Sequence, residues 1–477
     1  MNGLEIAEVK LSDLDLGDRL DAEYFSKENL LISKRLHEKQ TRTLGEIGKF
    51  AVSAFYPAAT HLYAEGDVAF MRCVDCINYP VISRMQDETF ERIPSSFLAA
   101  HGTIDTVGKG DIIITKVGSP CYASIVHEHE EVALSRTVLG LKNISGINPY
   151  YLLAFLRSHY GFNQLLRQRE LTIQYQLTVE RVRAVDVFIP TVDFQTRIEK
   201  LVKAAHEKLE QSKRLYAEAE SLLLGELGLR DWQPTNENVA VKSFKESFAA
   251  SGRLDAEFYQ PTDLELEQRL TSLPLGFNFI EDIVDSMVNG VESREFVEDG
   301  VPYIRVGDLR HLEIDADKPQ RIPQSEADAL RSKVELEVGD VLTVRSGSIG
   351  QAAIVKSKDL KSVISSHLIR LRLKKDSPIK STYLTVFLNT MPGIRQVLRH
   401  SNGGIVPEIS QPNLKKIIVP IVALETQQEI ERIINISNEM RDESKRLLEL
   451  AKRGVESAIE QDEQAALELI GEKASNL

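Results

Sequence analysis

Two kinds of apolar pattern alternate along the chain. Ile112 to Thr115 and Val341 to Val344 are short, partly β-branched runs. Each follows Gly-Asp, stands shortly before Gly-Ser, and is succeeded by a second run, Ala123 to Val126 or Ala352 to Val355. This predicts two strands joined by a turn in each place, because β-branched residues suit a pleated buried surface and glycine punctuates it. Tyr150 to Arg169 and Thr382 to His400 space their apolar residues at helical intervals instead, interrupted near Gly161 and at Pro392-Gly393. After Pro190 and Pro420 the helical pattern lengthens. Ile198, Leu201, Ala205, Lys208, Ser212, Leu215, Ala219 and Leu222 keep 3-4 spacing, as do Ile430, Ile433, Ser437, Met440, Ser444, Leu447 and Ala451. These seams predict long helices near Gln195 to Leu222 and Gln427 to Ala451, paired within the chain as an antiparallel coiled coil.

The two sets of elements are one pattern written twice. Gly110/Gly339, Asp111/Asp340, Gly118/Gly347, Ser119/Ser348, Ala123/Ala352, Ile125/Ile354 and Val126/Val355 match in order. Arg-Leu-Asp-Ala-Glu-Tyr-Phe from Arg19 answers Arg-Leu-Asp-Ala-Glu-Phe-Tyr from Arg253, and Arg72-x-x-Asp75 answers Arg305-x-x-Asp308. Tyr151, Phe155, Gly161, Gln164, Leu166 and Arg167 correspond to Tyr383, Phe387, Gly393, Gln396, Leu398 and Arg399, and Ser-Lys-Arg-Leu recurs at Ser212 and Ser444. A period of roughly 230 residues is far longer than the 20 to 50 or so of repeat arrays, so each copy is a domain plus a helix. The expected fold is α+β: two pseudo-symmetric β-rich domains separated by two long helices. The expected boundaries are 1–190, a helical spacer at 191–230, a second domain at 231–420 and a second spacer at 421–477.

Composition narrows the function. With 477 residues, 42% hydrophobic and 27% charged, the chain reads as a multi-domain globular protein. No apolar run approaches the roughly 20 residues of a membrane span, and Met1 is not followed by a signal-peptide pattern. A cytoplasmic protein with no membrane partner is expected. Cys73, Cys76, His127 and His129 contain enough ligands for zinc on paper. The twins of Cys73, Cys76 and Cys121, however, are Val306, Leu309 and Gly350, which favours small packed side chains over a metal site. The net charge of -13 argues against a generally basic nucleic-acid binder and leaves room for a local basic groove. Gly102 to Lys109 has the wrong glycine spacing for a phosphate loop and ends in Gly110 where Ser or Thr belongs. Asn148-Pro-Tyr-Tyr151 lacks the second proline of a methyltransferase loop and reads as a helix start. With no cofactor loop or nucleophile elbow, a non-catalytic chain is expected.

The doubled Arg-Leu-Asp-Ala-Glu-aromatic starts, the doubled Gly-Asp-strand-Gly-Ser-strand and Arg-x-x-Asp units, and the doubled tails from Pro190 with Gln195 and Pro420 with Gln427 together resemble the specificity subunits of type I restriction-modification systems. The resemblance spans nearly the whole chain. It implies two target recognition domains, each reading half of a split double-stranded DNA sequence, with the coiled coil as a ruler between them. It also implies two methyltransferase subunits as partners, carrying S-adenosylmethionine, and restriction/translocase subunits using ATP and magnesium, with no cofactor on this chain. Candidate phosphate contacts are the basic positions Arg72, Lys116 and Arg136, with Arg305, Arg345 and Arg370 in the second copy. Base readers should differ between copies, as Gln174, Tyr175 and Gln176 differ from Asn402, Gly403 and Gly404; amide side chains suit adenine edges. Two other classes compete: a coiled-coil protein scaffold, and a DNA-modifying enzyme whose site is dispersed in sequence.

Overall fold

The structure, a computed structural model, describes residues 8–9, 19, 21–54, 56–119, 121–170, 175–310, 312–314, 319–402 and 406–474. They form two compact units, Met1–Gln211 with Glu439–Leu477, and Ser212–Asn438.

In the first unit a five-stranded sheet runs in the order Lys49–Ala51, Val138–Lys142, Ile112–Thr115, Ala123–Val126, Val81–Ile82. Its hairpin pairs Ile112 with Ile125 and Ile114 with Ala123, so the two runs read from the sequence are antiparallel neighbours. Both are buried throughout, which is why they are continuously apolar rather than alternating. A four-stranded sheet is centred on Val68–Met71 and Val132–Leu134, and Thr41–Thr43 pairs with Asp186–Phe188.

The second unit repeats these parts. A six-stranded sheet contains Val284–Asn289, Leu368–Leu373, Val341–Val344 and Ala352–Ile354 in that order. A three-stranded sheet is centred on Val301–Ile304, and Phe277–Phe279 pairs with Ile418–Pro420.

The helical segments predicted from Tyr150 and Thr382 are each two helices, Pro149–Arg157 with His159–Arg167 and Ser381–Asn389 with Met391–His400. Their breaks fall at Ser158 and Thr390, three residues before the glycines to which the sequence assigned them. Asn148 caps the first of these helices by accepting from the Tyr150 and Tyr151 amides, so Asn148-Pro-Tyr-Tyr151 is the helix start it was expected to be.

The two long helices are Val192–Glu226 and Leu424–Glu460, and they pack against each other antiparallel. Lys208 Nζ lies 3.6 Å from Met440 Sδ, and the Ser212 and Ser437 hydroxyls lie 3.0 Å apart. In the first unit Ile198, Leu201 and Ala205 share a core with Leu447, Ala451 and Val455. In the second, Ala219 and Leu223 share one with Ile430, Ile433 and Ile434. Because partners run in opposite senses, Ala205 does not face its sequence twin Ser437, which meets Ser212 about 10 Å further along the helix.

Candidate functional site

Two strand ends and one loop build the site in each unit. Arg305 follows the strand Val301–Ile304, and the Asp308 carboxylate reaches back 2.8 Å to accept from the Arg305 backbone N–H. Asp75 does the same for Arg72, also at 2.8 Å. The doubled Arg-x-x-Asp spacing is therefore a capping device that fixes where the arginine leaves the strand. Arg345 and Lys116 sit at the ends of Val341–Val344 and Ile112–Thr115, their amides held by the His367 and Thr137 carbonyls at 2.8 and 2.9 Å. The loop then closes over them: Ile409 donates to the Arg345 carbonyl at 2.8 Å, and Leu177 to the Lys116 carbonyl at 2.9 Å.

In the second unit these elements line an open cleft of about 960 Å³ containing Phe296, Tyr303, Arg305, Gln320, Arg345 and Glu408. The structure thus brings two of the predicted residues, Arg305 and Arg345, into one concavity. Arg305 is exposed, and among the described residues no hydrogen bond or ion pair reaches its guanidinium. Arg345 is 2.6 Å from the Glu408 carboxylate.

The first unit is wired differently. The Arg72 guanidinium meets Asp75 at 3.3 Å and Glu91 at 3.1 Å. Burial pulls its pKa down, but the two carboxylates more than offset this and hold it above its ordinary value. Lys116 is half-buried, and burial alone lowers its pKa. Arg136 is exposed, 5.1 Å above the Tyr56 ring.

Arg370 is a correction. It lies 6% exposed inside the sheet, where its guanidinium donates to the Glu335 carbonyl at 2.5 Å and the Ser286 hydroxyl at 2.9 Å. Burial, with Arg372 alongside, lowers its pKa. It packs the second unit and does not face the cleft. Nor is it the twin of Arg136. Ser135 donates to the Met71 carbonyl as Ser365 does to that of Ile304, which places Ser366 opposite Arg136.

The loop residues need a shift in register as well. Gln176 bridges Glu170 and Val117, whereas Glu408 bridges Asn402 and Ser346. Gln176 is therefore the structural equivalent of Glu408, and Asn402 that of Glu170. Tyr175 stacks under the Arg169 guanidinium at 4.3 Å. Gln174, Gly403 and Gly404 lie outside the described residues.

Sequence reading missed Glu408 and the pair Glu91/Gln320. The signal for the second was present: Glu91-Arg-Ile-Pro94 and Gln320-Arg-Ile-Pro323 differ only at their first residue. The strand pairings equate them, since Val68 opposes Ile93 as Val301 opposes Ile322.

The cysteine-histidine group does not assemble. His129 Nε2 lies 2.7 Å from Asp87, His127 Nδ1 lies 2.5 Å from the Tyr150 hydroxyl, and Cys73 Sγ contacts the Ser119 carbonyl at 3.3 Å. Cys76 and Cys121 are buried, and burial raises each thiol to about 12.

Part of the chain is similar to a known family. Residues 280–448, which include the second-unit cleft, match the family model described as the type I restriction modification DNA specificity domain. No curated protein matches the chain. Among solved structures, the chain is similar to the type I restriction-modification S subunit from M. genitalium, at 12% identity over 88% of this chain and 94% of that one, with a TM-score of 0.41. It is also similar to the HsdS subunit from Thermoanaerobacter tengcongensis, at 15% identity over 89% and 97%, with a TM-score of 0.29. Residues 280–448 are thus similar to the type I restriction modification DNA specificity domain.

Proposed function

We propose that this chain is the DNA-sequence-specificity subunit of a type I restriction-modification complex, working in the cytoplasm. The observation that carries this reading is the specificity-domain match over the segment that builds the arginine-lined cleft. A concave surface with an exposed arginine at a strand end suits phosphate contact, and the amide and carboxylate groups beside it suit base edges.

On this reading each unit meets one half of a split target, and the chain performs no chemistry itself. Two methyltransferase subunits supply S-adenosylmethionine and the methyl transfer. Restriction/translocase subunits supply ATP-driven, magnesium-dependent cleavage. The domains proposed for recognition are 1–190 and 231–420, with 191–230 and 421–477 as spacers. The candidates for phosphate contact are Arg72, Lys116, Arg136, Arg305 and Arg345, and the loops holding Tyr175, Gln176 and Asn402 are the proposed readers. Gln174, Gly403 and Gly404 remain proposed with those loops.

The test is a chimera in which residues 41–190 are replaced by the same segment of a related subunit, assembled with its methyltransferase. Mapping methylated sites by single-molecule sequencing should show one half of the recognised sequence changed and the other kept. If both halves change together, or neither does, the two-reader assignment is wrong. The purified chain alone, given labelled S-adenosylmethionine and DNA, should transfer no methyl group.

A further inference from the structure

Each unit presents two cations at neighbouring strand ends, and each unit neutralises a different one. In the first, the Arg72 guanidinium is held by Asp75 at 3.3 Å and by Glu91 at 3.1 Å, whereas the Lys116 ammonium has no hydrogen-bond or ion-pair partner among the described residues. In the second, Arg345 is held by Glu408 at 2.6 Å, whereas the Arg305 guanidinium has no partner among the described residues. Asp75 has its counterpart in Asp308, so the exchange follows two acid/amide swaps at equivalent positions: Glu91 against Gln320 near the first cation, and Gln176 against Glu408 on the loop that bridges to the residue after the second.

A carboxylate beside an arginine does two things to an approaching phosphate. It occupies the guanidinium's donors, and it repels the anion directly. An amide of the same shape does neither. One Glu/Gln choice therefore decides whether its neighbouring cation is free to replace a counterion on DNA.

We infer that the Glu/Gln identities at 91/320 and 176/408 select the phosphate-binding cation of each unit, Lys116 in the first and Arg305 in the second. The inference rests on the proposed DNA-binding function and deepens it. The two units then hold the duplex through non-equivalent strand ends although their scaffolds match, so their footprints on the backbone are offset.

The experiment measures fluorescence anisotropy of the full-length chain with a mixed-sequence duplex of about 40 bp, across about 50 to 200 mM salt. Gln320→Glu and Gln176→Glu should each raise Kd several-fold and make the slope of log K against log salt shallower by about 0.9, the value of one lost phosphate contact. Glu91→Gln and Glu408→Gln should each lower Kd and steepen the slope. Adding Arg72→Ala to Glu91→Gln, or Arg345→Ala to Glu408→Gln, should abolish the gain. Gains that survive loss of the arginine would show a general charge effect and overturn the inference, as would unchanged slopes for both Gln→Glu variants. Failure of the unmodified chain to bind any duplex is a different outcome: it defeats the DNA reading itself, and this inference with it.

Discussion

At the scale of single residues, most positions that recur in both copies hold the scaffold. Gln164 exchanges hydrogen bonds with the backbone of Asp186 as Gln396 does with Ile418, and the Tyr151 and Tyr383 hydroxyls donate to the Phe188 and Pro420 carbonyls. Arg167 and Arg399 donate to the Tyr24 and Phe258 carbonyls, which explains the doubled Arg-Leu-Asp-Ala-Glu-aromatic start. Gly161 and Gly393 are fixed by space: a Cβ there would lie 2.1 Å from the Phe155 or Phe387 carbonyl oxygen. Gly161→Ala or Gly393→Ala should cost about 3 kcal/mol in its own unit, read by urea denaturation, because backbone must move to admit the methyl group. His400 supplies a pH prediction. Burial, reinforced by Arg399, Lys416 and Arg253, depresses it from 6.5 to about 4. The unfolded chain therefore binds a proton between those values that the folded unit does not. Stability should fall by about 3 kcal/mol as pH drops from 6.5 to 4, and His400→Gln should flatten that part of the profile.

At the scale of elements, the long helices owe their pairing to tertiary burial more than to a strong seam. Their contact line contains Lys208, Ser212, Ser437 and Ser444 among its apolar members, and the apolar stretches lie toward each end, inside the two cores. Ser437 Oγ also donates to the Ser212 carbonyl at 2.7 Å, so the polar centre is satisfied rather than merely tolerated. Replacing Ser212 and Ser437 with cysteine should give a disulfide under mild oxidation, seen as a mobility shift on non-reducing gels. The twin pair Ala205 and Ser437 should give none, because an antiparallel register sets them about two helical turns apart. The Gly-Ser turns also show how an element tolerates different residues at one backbone geometry. Cys121 takes a φ of 79° where its twin Gly350 takes 91°. The thiol is fully buried, so the cysteine keeps a packed side chain at a position whose backbone favours glycine.

At the scale of the whole molecule, an acidic chain is proposed to bind an acidic polymer, and local wiring makes that workable. A net charge of -13 lowers non-specific attraction. Contacts confined to a few strand-end cations can still replace counterions on the duplex. If the helix pair sets the gap between half-sites, lengthening both long helices by four residues adds about 6 Å, equal to about two base pairs. Methylation mapping of that variant should then show a recognised sequence with a gap about two base pairs longer. An unchanged gap would remove the helices from that role.

The sequence by itself determined the doubled α+β plan, the strands around Ile112 and Val341, the helix start at Asn148 and the existence of both long helices. Those features follow from periodicity and punctuation, which are local, and the repeat let each copy check the other. Tertiary structure alone decided which cations reach the surface. Arg72, Arg305, Arg345 and Arg370 are the same residue type near strand ends or within strands, yet one is clamped by Asp75 and Glu91, one has no guanidinium partner among the described residues, one is held by Glu408 and one is buried against Glu335 and Ser286. Which carboxylate or carbonyl stands opposite an arginine depends on strands brought together from distant parts of the chain. Loop register was hidden for the same reason: Gln176 and Glu408 are matched by the bridges they make to Val117 and Ser346, not by the residues beside them.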